Sequence, residues 1–136
     1  MNSELKLRVV TPFGPVIDQV VSSITACSEL GEFCVLPEHR PILASLKASR
    51  FMFEANGETK VYAMDIGFFE GGADHVNVMT QHCVSKESVS DAVESLGKEL
   101  AALQEEFDKL EEDSSTRNTL TAAINWLEAQ LAVAGE

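Results

Sequence analysis

Basic side chains and long apolar runs are both scarce in this sequence of 136 residues. Ten Lys and Arg stand against 22 Asp and Glu, which gives a formal net charge of −12. Because no segment gathers the basic residues into a patch that would offset phosphate repulsion, nucleic acid is not an expected partner. No run approaches the roughly 20 apolar residues that cross a bilayer, and the N-terminus lacks the features of a secretion signal. We therefore expect a soluble protein without direct membrane insertion.

Cysteine is also rare. Cys27, Cys34 and Cys83 form neither a CxxC pair nor an even-numbered disulfide framework. This pattern is typical of a reducing compartment, and it predicts three reduced thiols that are buried or half-buried. A thiol nucleophile at Cys34 activated by His39 is disfavoured, because residues five apart on a strand point to opposite faces and no glycine-rich oxyanion turn lies nearby.

Metal and nucleotide chemistry have equally weak signals. His75, His82 and Cys83 are ligand types close together in the chain, but residues 82 and 83 would face opposite sides of an extended strand and no fourth ligand is evident. A phosphate-binding loop of the P-loop type is absent. We predict no catalytic residue, no metal site and no cofactor, and we interpret the histidines as surface residues.

What the chain does contain is enough apolar material for a core, at 45% of residues. Up to about residue 84 it shows short segments of period-two alternation separated by Gly, Pro and Asn. The clearest signal is Asn56-Gly57, which predicts a two-residue type I′ turn between the strands around 50–54 and 59–64. Further strands are predicted at 4–10, 16–25, 33–36, 42–46, 66–70 and 76–81. Strands so short and so closely spaced indicate a sandwich or flattened barrel.

The period changes after Ser85. Apolar residues recur at alternating intervals of four and three: Val89, Val93, Leu96, Leu100, Leu103, Phe107 and Leu110. This spacing predicts a helix of about 24 residues with Ser88 as its N-cap. The pattern breaks at 111–115 and resumes through Leu120, Ile124, Leu127, Leu131 and Ala134. The result is an antiparallel helical hairpin whose seam is too small to be stable alone, so it must pack against something else.

The fold class is therefore α+β in two parts, with a β-sandwich at 1–85 and a helical hairpin at 86–136. The charge is uneven between them, at −4 for the first part and −8 for the second. Four acidic side chains of the helices are best interpreted as a solvent-exposed face: Glu99, Glu105, Glu106 and Glu111.

One segment carries a family resemblance. Gly31 to Leu43 reads GEFCVLPEHRPIL and resembles the GEFGVLPGHAPLL stretch of the epsilon subunits of F-type ATP synthases. The opening strand with Leu7-Arg8-Val9, the Asn56-Gly57 turn and a two-helix tail also occur in the family's order, so the resemblance spans essentially the whole chain.

The resemblance implies an antiparallel sandwich of about ten strands that binds the γ subunit and the c ring at the foot of the rotating central stalk. It also implies a non-catalytic role, and a position on the cytoplasmic face of the inner membrane as a peripheral subunit. The resemblance further implies a regulatory tail of two helices that can fold down on the sandwich or extend along γ toward the catalytic α and β subunits, where in bacterial members it restrains ATP hydrolysis.

Three departures from the family limit what carries over. Cys34, Glu38 and Arg40 stand where the family commonly has Gly, Gly and Ala, and a residue other than Gly at position 38 needs ordinary φ or accepts strain. Some relatives have an ATP-binding motif at the start of the first helix. The matching stretch of this sequence lacks the Asp and the Arg of that motif, so nucleotide binding is not expected. The acidic tail is a poor match for the acidic groups that the family's inhibitory helices meet on the catalytic β subunit.

Five residues are candidates for partner contact. Glu38, His39 and Arg40 lie between two prolines in what should be a rigid, exposed loop. Phe68 and Phe69, like Phe51 and Phe53, are most simply core aromatics, but one or two of them at a sheet edge would anchor the γ subunit. The alternatives are a free-standing adaptor of the same shape and, with less support, a cysteine hydrolase.

Overall fold

The computed structural model describes residues 4–110 and 115–136. Its first part is β-structure throughout. The ten strands within the described residues are β1 (Leu5–Thr11), β2 (Gly14–Val21), β3 (Ser23–Ser28), β4 (Gly31–Val35), β5 (Ile42–Leu46), β6 (Ser49–Ala55), β7 (Glu58–Met64), β8 (Gly67–Gly71), β9 (His75–Thr80) and β10 (Cys83–Ser85). The predicted sandwich of about ten strands is confirmed.

Alternation along the strands places the core. In β1 the side chains of Leu5, Leu7 and Val9 are buried while Lys6 and Arg8 between them are exposed. The strands follow the order β10-β7-β6-β3-β5-β8-β9-β1-β2, with β4 paired to β3. The β1–β9 pair is parallel, and the other strand pairs that the structure describes are antiparallel. The sheet therefore folds over one apolar interior.

The tightest predicted turn is present. Asn56 and Gly57 have φ of 54° and 77°, the left-handed values that a type I′ turn requires, and Ala55 pairs with Glu58 across it. The predicted strand at 16–25 is wrong in one respect, because it divides at Ser22 into β2 and β3. Ser22 donates both its N–H and its hydroxyl to the Glu54 carbonyl oxygen, at 2.7 and 3.0 Å, which turns the chain there.

The second part contains three helices in the described residues: α1 (Lys86–Asp91), α2 (Val93–Asp108) and α3 (Ser115–Ala134). The predicted unbroken first helix is wrong, because it is interrupted at Ala92, which has φ −109° and ψ 9°. The predicted cap at Ser88 is also wrong. Ser85 is the N-cap, and its hydroxyl oxygen accepts a hydrogen bond from the Ser88 N–H. Most of the predicted break, residues 111–114, lies outside the described residues.

The hairpin packs on the sandwich, as its small seam requires. Val89 of α1, Val133 of α3 and Ala63 of β7 form a second buried apolar cluster. Arg50 of β6 donates to the side chain of Glu136 at 3.1 Å, and Lys86 donates to the main-chain oxygen of Glu136 at 2.7 Å. Helix α2 has no fully buried residue and lies along α3. The sandwich therefore holds the hairpin through α1 and α3.

Candidate functional site

An apolar row crosses the outer face of the sheet. Strand register places Phe68 of β8 between Ser45 of β5 and Met79 of β9, and Met79 beside Val10 of β1. The side chains of Phe68 and Met79 are 63% and 60% exposed. These four residues, of which Val10, Phe68 and Met79 are apolar and Ser45 is not, are called the apolar row. An exposed phenylalanine and methionine side by side are typical of a surface that another protein covers.

A groove of about 640 Å³ runs beside the apolar row. Ile66, which is half exposed, and Pro12 extend its apolar lining, and Glu29 and Gln81 supply polar groups at its margin. A groove with mainly apolar walls accepts the side chains of a protein partner better than it accepts a charged metabolite. Chemically, this surface is suited to binding apolar side chains.

Phe69 points the opposite way. Its side chain is completely buried and its ring contacts Phe33 edge to face, with centroids 5.0 Å apart. Successive residues of a strand face opposite sides of the sheet, so Phe68 and Phe69 cannot share one role. The prediction of Phe69 as a partner-contact residue is therefore wrong, because its side chain is part of the core together with Phe51 and Phe53.

The loop between β4 and β5 is less uniformly exposed than predicted. Glu38 and Arg40 are exposed, but the His39 ring turns inward. Its Nδ1 lies 3.1 Å from the Leu36 carbonyl oxygen, and its Nε2 is buried without a hydrogen-bond partner in the described residues, beside Gly71. His39 therefore fixes the loop to the sheet, and Glu38 and Arg40 are left as the candidate contacts.

Glu38 adopts the left-handed backbone region, with φ of 67°. Its N–H donates to the Ala73 carbonyl oxygen at 2.6 Å, which attaches the loop to the turn between β8 and β9. A side chain in this region costs roughly 1 kcal/mol relative to glycine. The sequence left two outcomes open at position 38, an ordinary φ or a strained backbone. The structure shows the strained backbone.

We expect Glu38→Gly to raise the free energy of unfolding by about 1 kcal/mol, because glycine reaches positive φ without a Cβ clash. Urea denaturation measures this change. Glu38→Ala is the matched control, since it removes the carboxylate and keeps the Cβ, and it should not show the gain in stability expected of the Gly variant. Equal stability of the Gly and Ala variants would contradict the backbone explanation.

The two sets of candidates lie at opposite ends of β8. Phe68 is near its start, whereas Gly71 at its end contacts His39, and three residues of strand span about 10 Å. The structure does not bring Glu38 and Arg40 into the apolar row. Sequence reasoning missed Met79 and Val10, although their strands were predicted, because only the register between strands places them beside Phe68.

A polar cluster lies next to the Glu38 loop. His75 Nδ1 is 3.0 Å from Asp74 Oδ1, and His75 Nε2 is 3.3 Å from Glu70 Oε1. The hydrogen bond with Asp74, and to a smaller extent the hydrogen bond with Glu70, raises the pKa of His75. The hydrogen bond from Asn77, followed by that of His75, lowers the pKa of Glu70. The cluster stabilises the turn between β8 and β9.

The cysteines differ in environment. Cys34 is exposed, contrary to the prediction of buried or half-buried thiols, because it lies on the outer face of β4 opposite Thr25. Cys27 and Cys83 are half-buried, and burial raises the pKa of Cys83 to about 12. All three are free thiols. Across residues 4–110 and 115–136 no group of three or more His, Cys, Asp or Glu side chains is placed to hold a metal ion.

Within the same described ranges, no helix is long and apolar enough to cross a membrane.

Comparison with known proteins gives consistent matches. Residues 4–86 match the family model of the ATP synthase delta/epsilon chain β-sandwich domain. The ATP synthase epsilon chain of Geobacter sulfurreducens is 32% identical over 100% of this chain and 97% of its own length. That of Citrifermentans bemidjiense is 40% identical over 60% of this chain and 59% of its own length.

Two solved assemblies contain chains of similar fold. A chain of the Euglena gracilis mitochondrial ATP synthase, in a structure of OSCP, F1 and c-ring, superposes with a TM-score of 0.83 at 21% identity, covering 97% of this chain and 82% of the other. A chain of the Tetrahymena thermophila mitochondrial ATP synthase central stalk and c-ring superposes with a TM-score of 0.60 at 10% identity, covering 96% of both chains.

Proposed function

The chain belongs to the ATP synthase delta/epsilon family, and from that premise we propose that its sandwich joins the γ subunit to the c ring in the rotating central stalk. As an epsilon subunit it is a non-catalytic part of the ATP synthase. The single observation that best supports the proposed contact is the apolar row. A protein that acted alone would leave Phe68 and Met79 in water, whereas a permanent partner covers them.

The γ subunit is the proposed occupant of the groove beside the apolar row. The β-sandwich supplies a rigid platform, because the apolar row is carried by four neighbouring strands and not by loops. Rigid strands lower the entropy that is lost on binding. Phe68, at the centre of the row, is the natural anchor of such an interface. The exposed Glu38 and Arg40, at the other end of β8, are a second contact region toward the stalk or the c ring.

The test is a binding measurement with purified γ subunit. We expect Phe68→Asp to weaken the affinity at least tenfold, because it removes a central aromatic anchor and buries a charge in an apolar groove. Surface plasmon resonance against immobilised γ subunit provides the dissociation constant. The thermal unfolding midpoint should stay within a few degrees of the parent, since Phe68 does not contribute to the core.

Val93→Asp is the matched control, because Val93 is also an exposed apolar residue but lies on α2, away from the groove. It should bind γ as the parent does. Unchanged affinity in Phe68→Asp would rule out the apolar row as the γ contact. A loss of similar size in Arg40→Ala, with Phe68→Asp unaffected, would move the interface to the Glu38 loop.

The helical hairpin is the proposed regulatory part, which would reach the catalytic α and β subunits. Residues 86–136 carry a net charge of −8, and such a surface is repelled by an acidic target. We therefore propose that the hairpin restrains ATP hydrolysis only weakly in this protein. The proposed location is the cytoplasmic face of the inner membrane, where the subunit is held by its partners.

A further inference from the structure

The chain's single tryptophan meets a histidine where the hairpin lies on the sandwich. The ring of Trp126 in α3 stacks on the ring of His82, with centroids 5.4 Å apart and planes inclined by 16°. On the sandwich side, Phe13 of the turn between β1 and β2 approaches the same histidine at 6.3 Å. The imidazole thus lies near one aromatic ring of the helix and one of the sandwich.

The sandwich fixes this imidazole independently of the helix. His82 Nδ1 lies 2.9 Å from Asp65 Oδ2, and the Asp65 N–H donates to the His82 carbonyl oxygen at 2.9 Å. The other carboxylate oxygen of Asp65 accepts the Ile66 N–H at 2.8 Å. Because the Asp65 carboxylate accepts a hydrogen bond from Nδ1, that nitrogen carries a proton and Nε2 is left facing away from Asp65.

The groups around His82 determine how its charge affects the packing of α3 on the sandwich. His82 is hydrogen-bonded to the carboxylate of Asp65, at the corner between β7 and β8, and its ring neighbours from α3 and from the β1–β2 turn are the uncharged Trp126 and Phe13. The next residue, Cys83, is a neutral thiol because burial raises its pKa to about 12. Asp65 and His82 both belong to the sandwich, so their hydrogen bond does not require a residue of α3.

We infer that protonation of His82 tightens the attachment of α3 to the sandwich, so that the hairpin is held more firmly in mildly acidic solution. A cation over the face of tryptophan is attracted by the ring, and the stack is formed only when the helix is docked. The attachment also includes the Val89, Ala63 and Val133 cluster and the contacts of Glu136. Lowering the pH from 8.0 to 5.5 should therefore favour the docked state about two- to fivefold. This inference does not depend on the proposed γ contact.

The experiment uses the full-length chain and amide hydrogen exchange. Protection factors of α3 amides from 124 to 133, corrected for the intrinsic effect of pH, are compared at pH 5.5 and 8.0. The parent protein should show about two- to fivefold higher protection at pH 5.5. In His82→Phe, which keeps an aromatic stack but cannot become charged, protection should not depend on pH. His82→Gln provides a second uncharged variant if the phenylalanine disturbs folding.

His75→Gln is the matched control, since it removes another half-exposed histidine that is hydrogen-bonded to carboxylates but lies away from the helix. It should keep the full pH dependence. Emission from Trp126 gives a second readout, because a stacked imidazolium quenches indole fluorescence, and the acid quenching should disappear in His82→Phe. Protection that is independent of pH in the parent, or pH dependence that survives in both His82 variants, would overturn the inference.

Discussion

Phe69→Ala should lower the free energy of unfolding by about 3 to 5 kcal/mol. The Phe69 side chain is fully buried, and its ring packs edge to face on Phe33 at a centroid distance of 5.0 Å. Truncation removes this contact and leaves a cavity between strands that are held by their own hydrogen bonds and cannot collapse to fill it. Urea titration followed by circular dichroism measures the change, with a midpoint that falls while the slope stays constant.

The adjacent residue is the control for this prediction. Phe68→Ala removes the same chemical group from an exposed position, so its stability should stay within about 0.5 kcal/mol of the parent. The same variant should lose affinity for the γ subunit. If Phe68→Ala destabilised the protein as much as Phe69→Ala, the assignment of the two faces of β8 would be wrong.

Gly67→Ala is expected to cost about 3 kcal/mol or more, because β8 and β9 approach too closely for a side chain at this position. A Cβ built on Gly67 would lie 2.2 Å from the Met79 carbonyl oxygen and 3.0 Å from the Thr80 Cα. Both are backbone atoms, so only a separation of the two strands would relieve the overlap. That separation would also disturb Thr80, whose buried hydroxyl lies 3.0 Å from the carbonyl oxygens of Asp65 and Ile66. Thermal and urea unfolding measure the loss.

Gly97→Ala is the matched change at an open position. A Cβ on Gly97 meets no atom within 4 Å, and the residue is exposed in the interior of α2. Alanine should therefore stabilise the protein, by up to about 1 kcal/mol through helix propensity. Opposite signs for the same substitution at positions 67 and 97 are the expected result, and a small effect at Gly67 would show that the strands have room for the methyl group.

Local patterns in the sequence predicted those parts of the fold that local physics determines. Alternation in β1 identified Leu5, Leu7 and Val9 as one face. The Asn56-Gly57 pair predicted a type I′ turn, because these two residue types adopt the positive φ that the turn requires. Helical spacing identified the hairpin and the two-part organisation. In each case the evidence lies within a few neighbouring residues.

The missed features depend on contacts that are distant in the chain. Nothing in the dipeptide Phe68-Phe69 indicates which ring faces inward, because that is decided by pairing with β5 and β9. The break at Ala92 lies within an unbroken apolar repeat, and it occurs where α1 docks through Val89 while α2 follows α3. The stack of Trp126 on His82 joins residues 44 positions apart.

The three-residue strand β10 has a mechanical consequence. It lies at one end of the strand order, pairs with β7 alone and leads directly into α1 through Ser85. A force applied to the helices would therefore act on the β10–β7 hydrogen bonds at the edge of the sheet. These bonds would break sequentially, and the rest of the sheet would not bear the load at the same time. Its three residues span about 10 Å when extended. Strand β10 can thus act as a short linker that lengthens when it separates from β7, while the interior of the sandwich stays closed.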